Sequence, residues 1–509
     1  GQIDLIGESQ LVQKRYNTNQ LNESILEPTS SGFIERDQQG TYNEYNYNYW
    51  SSPVSPTGSG INADYSVGAV LLDGTDSSNP LDITWASGYD TAAPTSPITM
   101  SSYWIYKFNG TANTYSVWSQ VGSTGSIEAG IGYTMKGSGT SEAYQNYVFK
   151  GIPHNGLIEN SLAIGDELFL GNPYPSSIDA MEFIKDNIPG PNANPGSSNA
   201  IDGTIQFWIH YNSNTSHNLN EYEGGFAMYN LLDEGIPPVS SQLVTTDGFW
   251  ISGLGSSDLK PGQFIPVGQG FTTFAIEEGT GGNVKFENDQ RFFMRESDPD
   301  ESIFLRMANN QEQQSQNVSE PIKKILLSAK TPESTFRTLL LGFVSDAIVT
   351  DSFDFGYDAR NPDSYPSDIS WSIDEQRFVM QGVGPFEPIK QYPLIVDVGS
   401  TGTIEISLLE LKNFDENIDV FVYDALLGTY TQINNLSFQA PLEPGIYPDR
   451  FYITFQDDSA LSLEELNKKN IIVNYLNSSQ DIYIKTPESN IIKQVYLINM
   501  VGQTVKSWN

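Results

Sequence analysis

The chain has 509 residues, and its 62 Asp and Glu residues against 26 Lys and Arg residues give a formal net charge of −36. A field of that sign repels phosphate backbones and anionic lipid headgroups, which argues against nucleic acid as a partner. The absence of cysteine excludes disulfides, thiolate metal ligands and cysteine nucleophiles.

Short runs rich in β-branched and aromatic residues, separated by Gly, Pro, Asn and Asp, recur along the chain. Such runs are typical of antiparallel sandwiches. The sequence therefore predicts an all-β fold of tandem jelly-roll or immunoglobulin-like β-sandwiches, with one short helix and a small C-terminal β-sandwich. The clearest predicted strands are 102–108, 167–170, 204–211, 270–275, 339–344, 404–408, 419–423 and 450–455.

One helix is predicted in the first half of the chain, over 178–187. Ser176 and Asp179 have the spacing of a capping box, and apolar residues then recur at the helical period. A Pro-Gly-Pro run at 189–191 ends the helix. A second short helix is predicted to begin at Ser462, where the capping spacing recurs.

A chain of this length is expected to divide, because one compact core rarely grows past about 250–300 residues. The acidic run 296–301 and the polar run 458–469 are the predicted linkers, and the Gln- and Asn-rich insert 309–320 is predicted to be a mobile hairpin loop. The predicted units are 1–34, the end of an upstream repetitive β region or a linker; 35–295, a large β-sandwich domain; 302–457, a second β-sandwich domain; and 470–509, a small third unit.

Catalysis has little support in the sequence. The three histidines, His154, His210 and His217, show no zinc-ligand spacing, although His210 and His217 could meet across a hairpin. His154 precedes Asn155-Gly156, the signature of a type I′ turn. The chain has no nucleophile elbow and no phosphate-binding glycine loop. We therefore predict that it is not an enzyme, and we assign no catalytic and no cofactor-binding residue.

Three acidic residues of the second predicted sandwich have the spacing of oxygen ligands. These are Asp351, Asp354 and Asp358, and carboxylate oxygens are ligands that Ca²⁺ prefers. The segment lacks the EF-hand pattern. The alternative is a polar loop in which Asp354 and Asp358 cap backbone amides, so a Ca²⁺ site and a structural turn both stay open.

An aromatic run lies near the start of the first predicted sandwich. Tyr45, Tyr47 and Tyr49 alternate with Asn, which places them on one face of a strand, and Trp50 follows. Exposed aromatic rings pack on pyranose rings, so the four residues form a candidate platform for surface glycans. The alternative is a half-buried sheet face with tyrosine hydroxyls at its rim.

The third unit carries a distinct pattern of short strands. It reads Ile-Ile-Val-Asn-Tyr at 471–475, Ile-Tyr-Ile-Lys at 482–485, and Val-Tyr-Leu-Ile-Asn at 495–499, followed by a Gly-Gln pair. This pattern resembles the type A C-terminal sorting domain of the type IX secretion system. The residues that match the family's sorting signal are Val495, Tyr496, Asn499, Gly502 and Gln503.

The tail also departs from that family. Asn-Tyr-Leu-Asn at 474–477 replaces the usual Tyr-Pro-Asn-Pro turn, and family members continue past the position of Asn509. The sorting domain is therefore expected to be incomplete here. The resemblance implies two partners, which are the outer-membrane translocon of the secretion system and its shuttle barrel.

The resemblance extends upstream through most of the chain. Blocks similar to those near the C-termini of large type IX cargo proteins of the Bacteroidetes follow one another in family order, at 33–54, 171–180, 207–208, 224–227, 267–271, 356–359 and 449–451. This implies the non-catalytic stem of an adhesin-like protein, secreted to the extracellular face of the outer membrane.

Two other functions stay open at this point. The chain could be a module that binds carbohydrate or a host surface through the tyrosine run or a Ca²⁺ loop. It could also be the accessory C-terminal region of a secreted hydrolase whose catalytic domain lies upstream. Ca²⁺ is the only cofactor that the sequence brings into consideration.

Overall fold

The computed structural model describes residues 1–14, 32–91, 95–112, 114–140, 144–211, 214–239, 243–244, 247–248, 250–251, 255, 257–277, 281–297, 321–345, 347–361, 365–457, 472–476, 481–485, 493–498 and 504–508. Within 243–244, 250–251, 472–476 and 481–485, and at residue 498, the description covers the backbone alone.

The first β-sandwich assembly is built from the described residues between 1 and 297. Its helices are α1 (Val67–Val70) and α2 (Ala180–Lys185), with 3-10 turns η1 (Tyr115–Val117), η2 (Leu219–Glu221) and η3 (Asn288–Gln290). Its strands are β1 (Gln2–Leu5), β2 (Phe33–Gly40), β3 (Tyr47–Trp50), β4 (Val54–Ser55), β5 (Leu71–Asp73), β6 (Leu81–Asp82), β7 (Thr84–Ala86), β8 (Thr99–Ser101), β9 (Tyr106–Thr111), β10 (Trp118–Gln120), β11 (Tyr133–Lys136), β12 (Gln145–Pro153), β13 (Ile158–Leu162), β14 (Asp166–Gly171), β15 (Ser177–Asp179), β16 (Ile201–His210), β17 (Gly224–Asn230), β18 (Glu234–Ile236), β19 (Leu243–Val244), β20 (Trp250–Ile251), β21 (Phe264–Ile265), β22 (Gly270–Ala275), β23 (Gly282–Phe286) and β24 (Arg291–Phe292).

Two large sheets dominate this assembly. One has the strand order β1-β2-β12-β5-β6, with β4 also paired to β12, and the other has the order β10-β9-β14-β22-β16-β17-β18. Strand β3 pairs with β11 and also contacts β22. The pair β3–β11 thus packs beside the seven-stranded sheet, which brings its side chains to that sheet.

Strand β16 gives the seven-stranded sheet two different faces. Ile205, Phe207 and Ile209 are buried in the core on the side of helix α2. Successive side chains of a strand point to opposite faces. Trp208 and His210 therefore lie on the other face, where both are half-buried.

The second sandwich contains β25 (Lys323–Lys330), β26 (Phe336–Phe343), β27 (Ala359–Arg360), β28 (Asp368–Ile373), β29 (Gln376–Val383), β30 (Gln391–Val398), β31 (Gly402–Lys412), β32 (Phe421–Asp424), β33 (Thr429–Gln432), β34 (Phe438–Leu442) and β35 (Gly445–Thr454). They form one sheet in the order β33-β32-β35-β30-β28-β29-β26-β25-β31-β34, with β27 paired to β29. Trp371 is fully buried in its core.

The described part of the C-terminal unit consists of two antiparallel hairpins. The first pairs β36 (Ile472–Leu476) with β37 (Asp481–Lys485), and the second pairs β38 (Val495–Ile498) with β39 (Thr504–Trp508).

The two sandwiches share backbone hydrogen bonds. The Leu231 N–H donates to the Gly356 carbonyl at 2.7 Å, and the Gly356 N–H donates to the Asp202 carbonyl at 2.8 Å. The Asn230 side chain donates to the Tyr357 carbonyl at 2.9 Å. Gly356 has a φ of +83°, and a Cβ there would lie 2.7 Å from Leu231. Glycine is therefore required at this point of the junction.

Leu232 fills the apolar part of the same junction. It is fully buried, and a Cβ at Gly342 of β26 would come within 2.5 Å of it. A Cβ at Gly382 of β29 would lie 3.5 Å from the Leu232 side chain. The two glycines leave the space that the leucine occupies, so the first sandwich inserts a side chain into the second.

A buried carboxylate with three lysines completes the junction. Glu234 of β18 accepts hydrogen bonds from Lys260 and from Lys412, the latter at 2.9 Å, and Lys324 lies 3.6 Å away. Burial opposes ionisation, but the three ammonium groups outweigh it and lower the pKa of Glu234. Lys324 and Lys412 belong to the second sandwich, so the carboxylate joins the two units.

The all-β prediction is confirmed, whereas several predicted boundaries are wrong. The predicted strand 270–275 is β22, but 102–105 forms a turn and β9 begins only at Tyr106. The predicted type I′ turn is also wrong. Gly156 has positive φ and Asn155 does not, while a type I′ turn needs positive φ at both positions.

The predicted helix 178–187 is shorter than expected. It spans Ala180–Lys185, and its N-cap is Asp179, whose side chain accepts from the N–H groups of Met181 and Glu182. Ser176 is not the cap, because residues 177–179 pair as strand β15. The predicted helix at Ser462 and the insert 309–320 lie outside the described residues.

The predicted linker 296–301 begins inside the fold. The Glu296 carboxylate lies 2.9 Å from the buried guanidinium of Arg36 and is itself 4% exposed. Residues 298–301 lie outside the described residues.

Candidate functional site

The predicted tyrosine platform is divided between two faces of strand β3. Tyr47 and Tyr49 lie on one face, and Trp50 lies on the other, because the side chains of a strand alternate. Trp50 is 1% exposed and packs against Tyr147 and Phe149 at ring distances of 5.2 and 5.7 Å. Trp50 is therefore a core residue and cannot take part in a sugar-stacking surface.

Tyr49 covers the outer face of the seven-stranded sheet. Its ring stacks on Trp208 at 5.8 Å and contacts Trp118 and Phe169 at 6.3 and 5.1 Å. Burial raises the pKa of Tyr49. The packing of this ring holds the pair β3–β11 against the sheet.

Lys136, at the end of β11, is enclosed by aromatic rings. Its Nζ lies 3.7 Å from the ring centre of Trp104, 4.7 Å from that of Tyr47 and 5.2 Å from that of Tyr222. The residue is 2% exposed. Burial lowers the pKa of Lys136 to about 7, while the electron-rich ring faces favour the charged form.

His217 closes this enclosure from the solvent side. Its Nδ1 lies 2.9 Å from the Lys136 Nζ, and its Nε2 lies 3.1 Å from the Asp90 carboxylate. The ring stacks on Trp104 at 4.8 Å and contacts Tyr45 at 4.7 Å. Burial and the charge of Lys136 lower the pKa of His217. A hydrogen-bonded chain therefore runs from an exposed carboxylate to an enclosed amine.

A cluster of aromatic residues that includes Trp104 lies on the surface. We call it the tyrosine patch, and it consists of Tyr45, Tyr89, Tyr103, Trp104, Tyr106 and Tyr115. Tyr103 is central, with ring distances of 4.5 Å to Tyr89, 4.8 Å to Trp104 and 6.2 Å to Tyr106. Tyr89 and Tyr115 are 56% and 39% exposed.

Loops that are fixed by hydrogen bonds hold the patch in place. The indole N–H of Trp104 donates to the Tyr89 carbonyl at 2.7 Å. The Asp247 carboxylate accepts from the backbone N–H groups of Tyr115 and Ser116 at 3.0 and 2.7 Å. The rings are therefore positioned before any partner arrives.

The surroundings of the patch are acidic. Asp90 and Asp247 are exposed, and Glu44 is half-buried beside Tyr45. The negative charge of Glu44, followed by partial burial, raises the pKa of Tyr45. The patch thus combines aromatic faces and phenol hydroxyls with carboxylate acceptors.

The other two histidines have structural partners. His154 is fully buried, with one ring nitrogen 3.0 Å from the Pro173 carbonyl and the other 2.9 Å from the Ser55 hydroxyl. Burial lowers the pKa of His154 to about 4. His210 accepts the Tyr47 N–H at 2.9 Å, and burial lowers its pKa to about 4 as well.

The three aspartates of the candidate Ca²⁺ site have protein partners. Asp354 accepts the Thr350 N–H at 2.6 Å, and Asp358 accepts the N–H groups of Asp354 and Gly382, both at 2.7 Å. Asp351 pairs with Lys390 at 3.1 Å. Within the described ranges, no three His, Asp or Glu side chains form a group that could hold a metal ion. The contacts are those of the structural alternative.

The residues of the sorting signal are only partly described. Val495 and Tyr496 lie in strand β38, and Tyr496 is 54% exposed. Asn499, Gly502 and Gln503 lie outside the described residues.

The sequence did not single out Trp104, Lys136 or the exposed tyrosines as site residues. The run Tyr103, Trp104, Tyr106 is a usable signal, but a strand over 102–108 would place Tyr103 on the face opposite to Trp104 and Tyr106. The enclosure of Lys136 had no local signal, because its partners Tyr47, Trp104 and His217 are distant in sequence.

The fold and the site together define a double β-sandwich protein with an aromatic surface cluster on its first sandwich. Residues 76–455 match the family model of a domain of unknown function, DUF8693. The match covers well over half of the chain, which therefore belongs to this family. No curated protein and no solved structure matches the chain. In the described part of the chain, no helix is long and apolar enough to cross a membrane.

Proposed function

We propose that this chain is the non-catalytic stem of an adhesin-like surface protein, exported by the type IX secretion system. The observation that supports the role of a stem is the junction between the two sandwiches. Backbone hydrogen bonds at Gly356, the inserted Leu232 and the Glu234 carboxylate all cross it. A junction of this kind keeps its two units at a fixed distance and angle, which is what a spacer requires.

The export part of the proposal depends on the resemblance of the tail. Val495, Tyr496, Asn499, Gly502 and Gln503 match the sorting pattern in order, and β38 and β39 form a hairpin there. The proposed partners are the outer-membrane translocon and its shuttle barrel. The proposed location is the extracellular face of the outer membrane of a member of the Bacteroidetes.

Export is tested by comparing two chains in a bacterium that has the secretion system. Both carry a Sec signal peptide; one is the full chain and the other ends at Asp457. We expect protease added to intact cells to digest only the full chain, with the shortened chain retained in the periplasm. A host without the translocon is the control. Equal accessibility of both chains, or retention of both, would refute the sorting role.

A further inference from the structure

We propose that the tyrosine patch is a binding site for uncharged polysaccharide. The proposal is independent of the export route. It concerns Tyr45, Tyr89, Tyr103, Trp104, Tyr106 and Tyr115, of which only Tyr45 belonged to the predicted platform.

Exposure is the first argument. Large aromatic side chains are commonly buried, and a contiguous exposed group of them marks a binding surface. Tyr89 and Tyr115 are 56% and 39% exposed, and the other four members are half-buried. Tyrosine and tryptophan present a wide apolar face together with a polar tip. A sugar ring has the complementary character, with C–H groups on its faces and hydroxyls at its edge.

Preorganisation is the second argument. A surface that is already rigid loses less entropy when it binds. The Lys136 Nζ lies 3.7 Å from the ring centre of Trp104, and the His217 ring stacks on Trp104 at 4.8 Å. Asp247 fixes the backbone that carries Tyr115. The enclosed Lys136 side chain and the His217 ring thus help to hold this surface ring in position.

Charge selects among the ligands that could stack on such rings. Nucleobases stack on aromatic side chains, but Asp90 and Asp247 are exposed at the patch, and the chain has a net charge of −36. Phosphate, sulfate and uronate groups are repelled by such a field. Carboxylates accept hydrogen bonds from hydroxyls, so the same residues favour an uncharged sugar chain.

The test is a depletion assay with the full 509-residue chain. Cellulose, chitin, β-1,3-glucan and mannan are the uncharged probes, and alginate is the anionic one. We expect retention on at least one uncharged probe and none on alginate. Tyr89→Ala and Tyr115→Ala should each weaken the binding by about tenfold, as for anchor residues of an interface.

Phe336→Ala is the matched control, since Phe336 is a 47% exposed aromatic residue of the second sandwich. It should bind like the unaltered chain. Tyr89→Phe keeps the ring and should retain most of the affinity, and circular dichroism of each variant confirms folding. The proposal would be overturned if the chain bound none of the uncharged probes or bound alginate alone. Equal losses of binding in Tyr89→Ala and Phe336→Ala would also overturn it.

Discussion

At the scale of single residues, two opposing effects act on the protonation of the Lys136 amine. Its burial disfavours the ammonium form and lowers the pKa of the amine to about 7. The ring faces of Trp104 and Tyr47 and the lone pair of His217 favour the same ammonium. Replacing a buried charge by an apolar side chain of similar shape is often neutral or stabilising, so the lysine need not contribute to stability.

We therefore expect Lys136→Met to fold and to show a pH-dependent gain in stability. Between pH 7 and the ordinary lysine pKa of 10.5, the unfolded chain holds a proton that the folded chain lacks. The free energy of unfolding of the unaltered protein then rises with pH by up to about 1.4 kcal/mol per pH unit. The advantage of the methionine variant should be largest near pH 7 and should shrink toward pH 10.

Urea unfolding at pH 7, 8.5 and 9.5 measures this difference. Lys107→Met, at a half-buried lysine of the neighbouring strand β9, is the matched control. A difference between Lys136→Met and the unaltered protein that stays constant across these pH values would contradict the assigned cause.

At the scale of single elements, the strands were more predictable than the ends of elements or the site. Apolar and polar residues alternate over 204–211, which fits a strand with one buried face, and β16 occurs there. The helix start was missed because Ser176 and Asp179 are both good caps. The pairing of residues 177–179 with β21 and β24 decides between them, and such pairing has no local signal.

The candidate site was likewise predictable from the sequence only in part. Alternation already separates Trp50 from Tyr47 and Tyr49, so its place on the opposite face of the strand follows from the sequence. The enclosure of Lys136 and the tyrosine patch do not follow, because strand order and loop contacts bring their members together.

The cap of α2 gives a prediction for this scale. Asp179→Ala removes the acceptor for the N–H groups of Met181 and Glu182 and should cost about 1 kcal/mol in the free energy of unfolding at pH 7. Asp179→Asn keeps an acceptor. Burial raises the pKa of Asp179 to about 6 from 3.8, so between pH 4 and 6 the folded chain holds the extra proton.

The unaltered protein therefore loses stability as the pH rises through that window, and the asparagine variant does not. Relative to the unaltered protein, Asp179→Asn should gain stability from pH 4 to pH 7. Thermal unfolding of both proteins at pH 4 and at pH 7 measures this difference in stability. Equal destabilisation by alanine and asparagine at pH 7 would show that the cap hydrogen bonds contribute nothing.

At the scale of the whole molecule, the junction makes Glu234 more important than its single charge suggests. Glu234→Gln removes the buried carboxylate that Lys260, Lys324 and Lys412 share. Breaking a buried pair in this way costs about 3–5 kcal/mol. Calorimetry of the unaltered protein should show one transition for both sandwiches, and the variant should show two, with the first at lower temperature.

Glu410→Gln is the matched control for this change. Glu410 pairs with the same Lys412 at 3.5 Å, but its side chain is 49% exposed, so its loss should cost less than about 1 kcal/mol. One transition in Glu234→Gln, at the temperature of the unaltered protein, would show that the carboxylate does not couple the sandwiches.

The inserted Leu232 and the bonds at Gly356 also bear on how the protein can be divided. A fragment cut between the two sandwiches would expose Leu231 and Leu232 on one piece and two unfilled glycine positions on the other. Neither piece is then a portable module, and each should aggregate when expressed alone but recover when both are co-expressed. We therefore expect the two sandwiches to be inherited as a pair, and the family match over residues 76–455 includes parts of both.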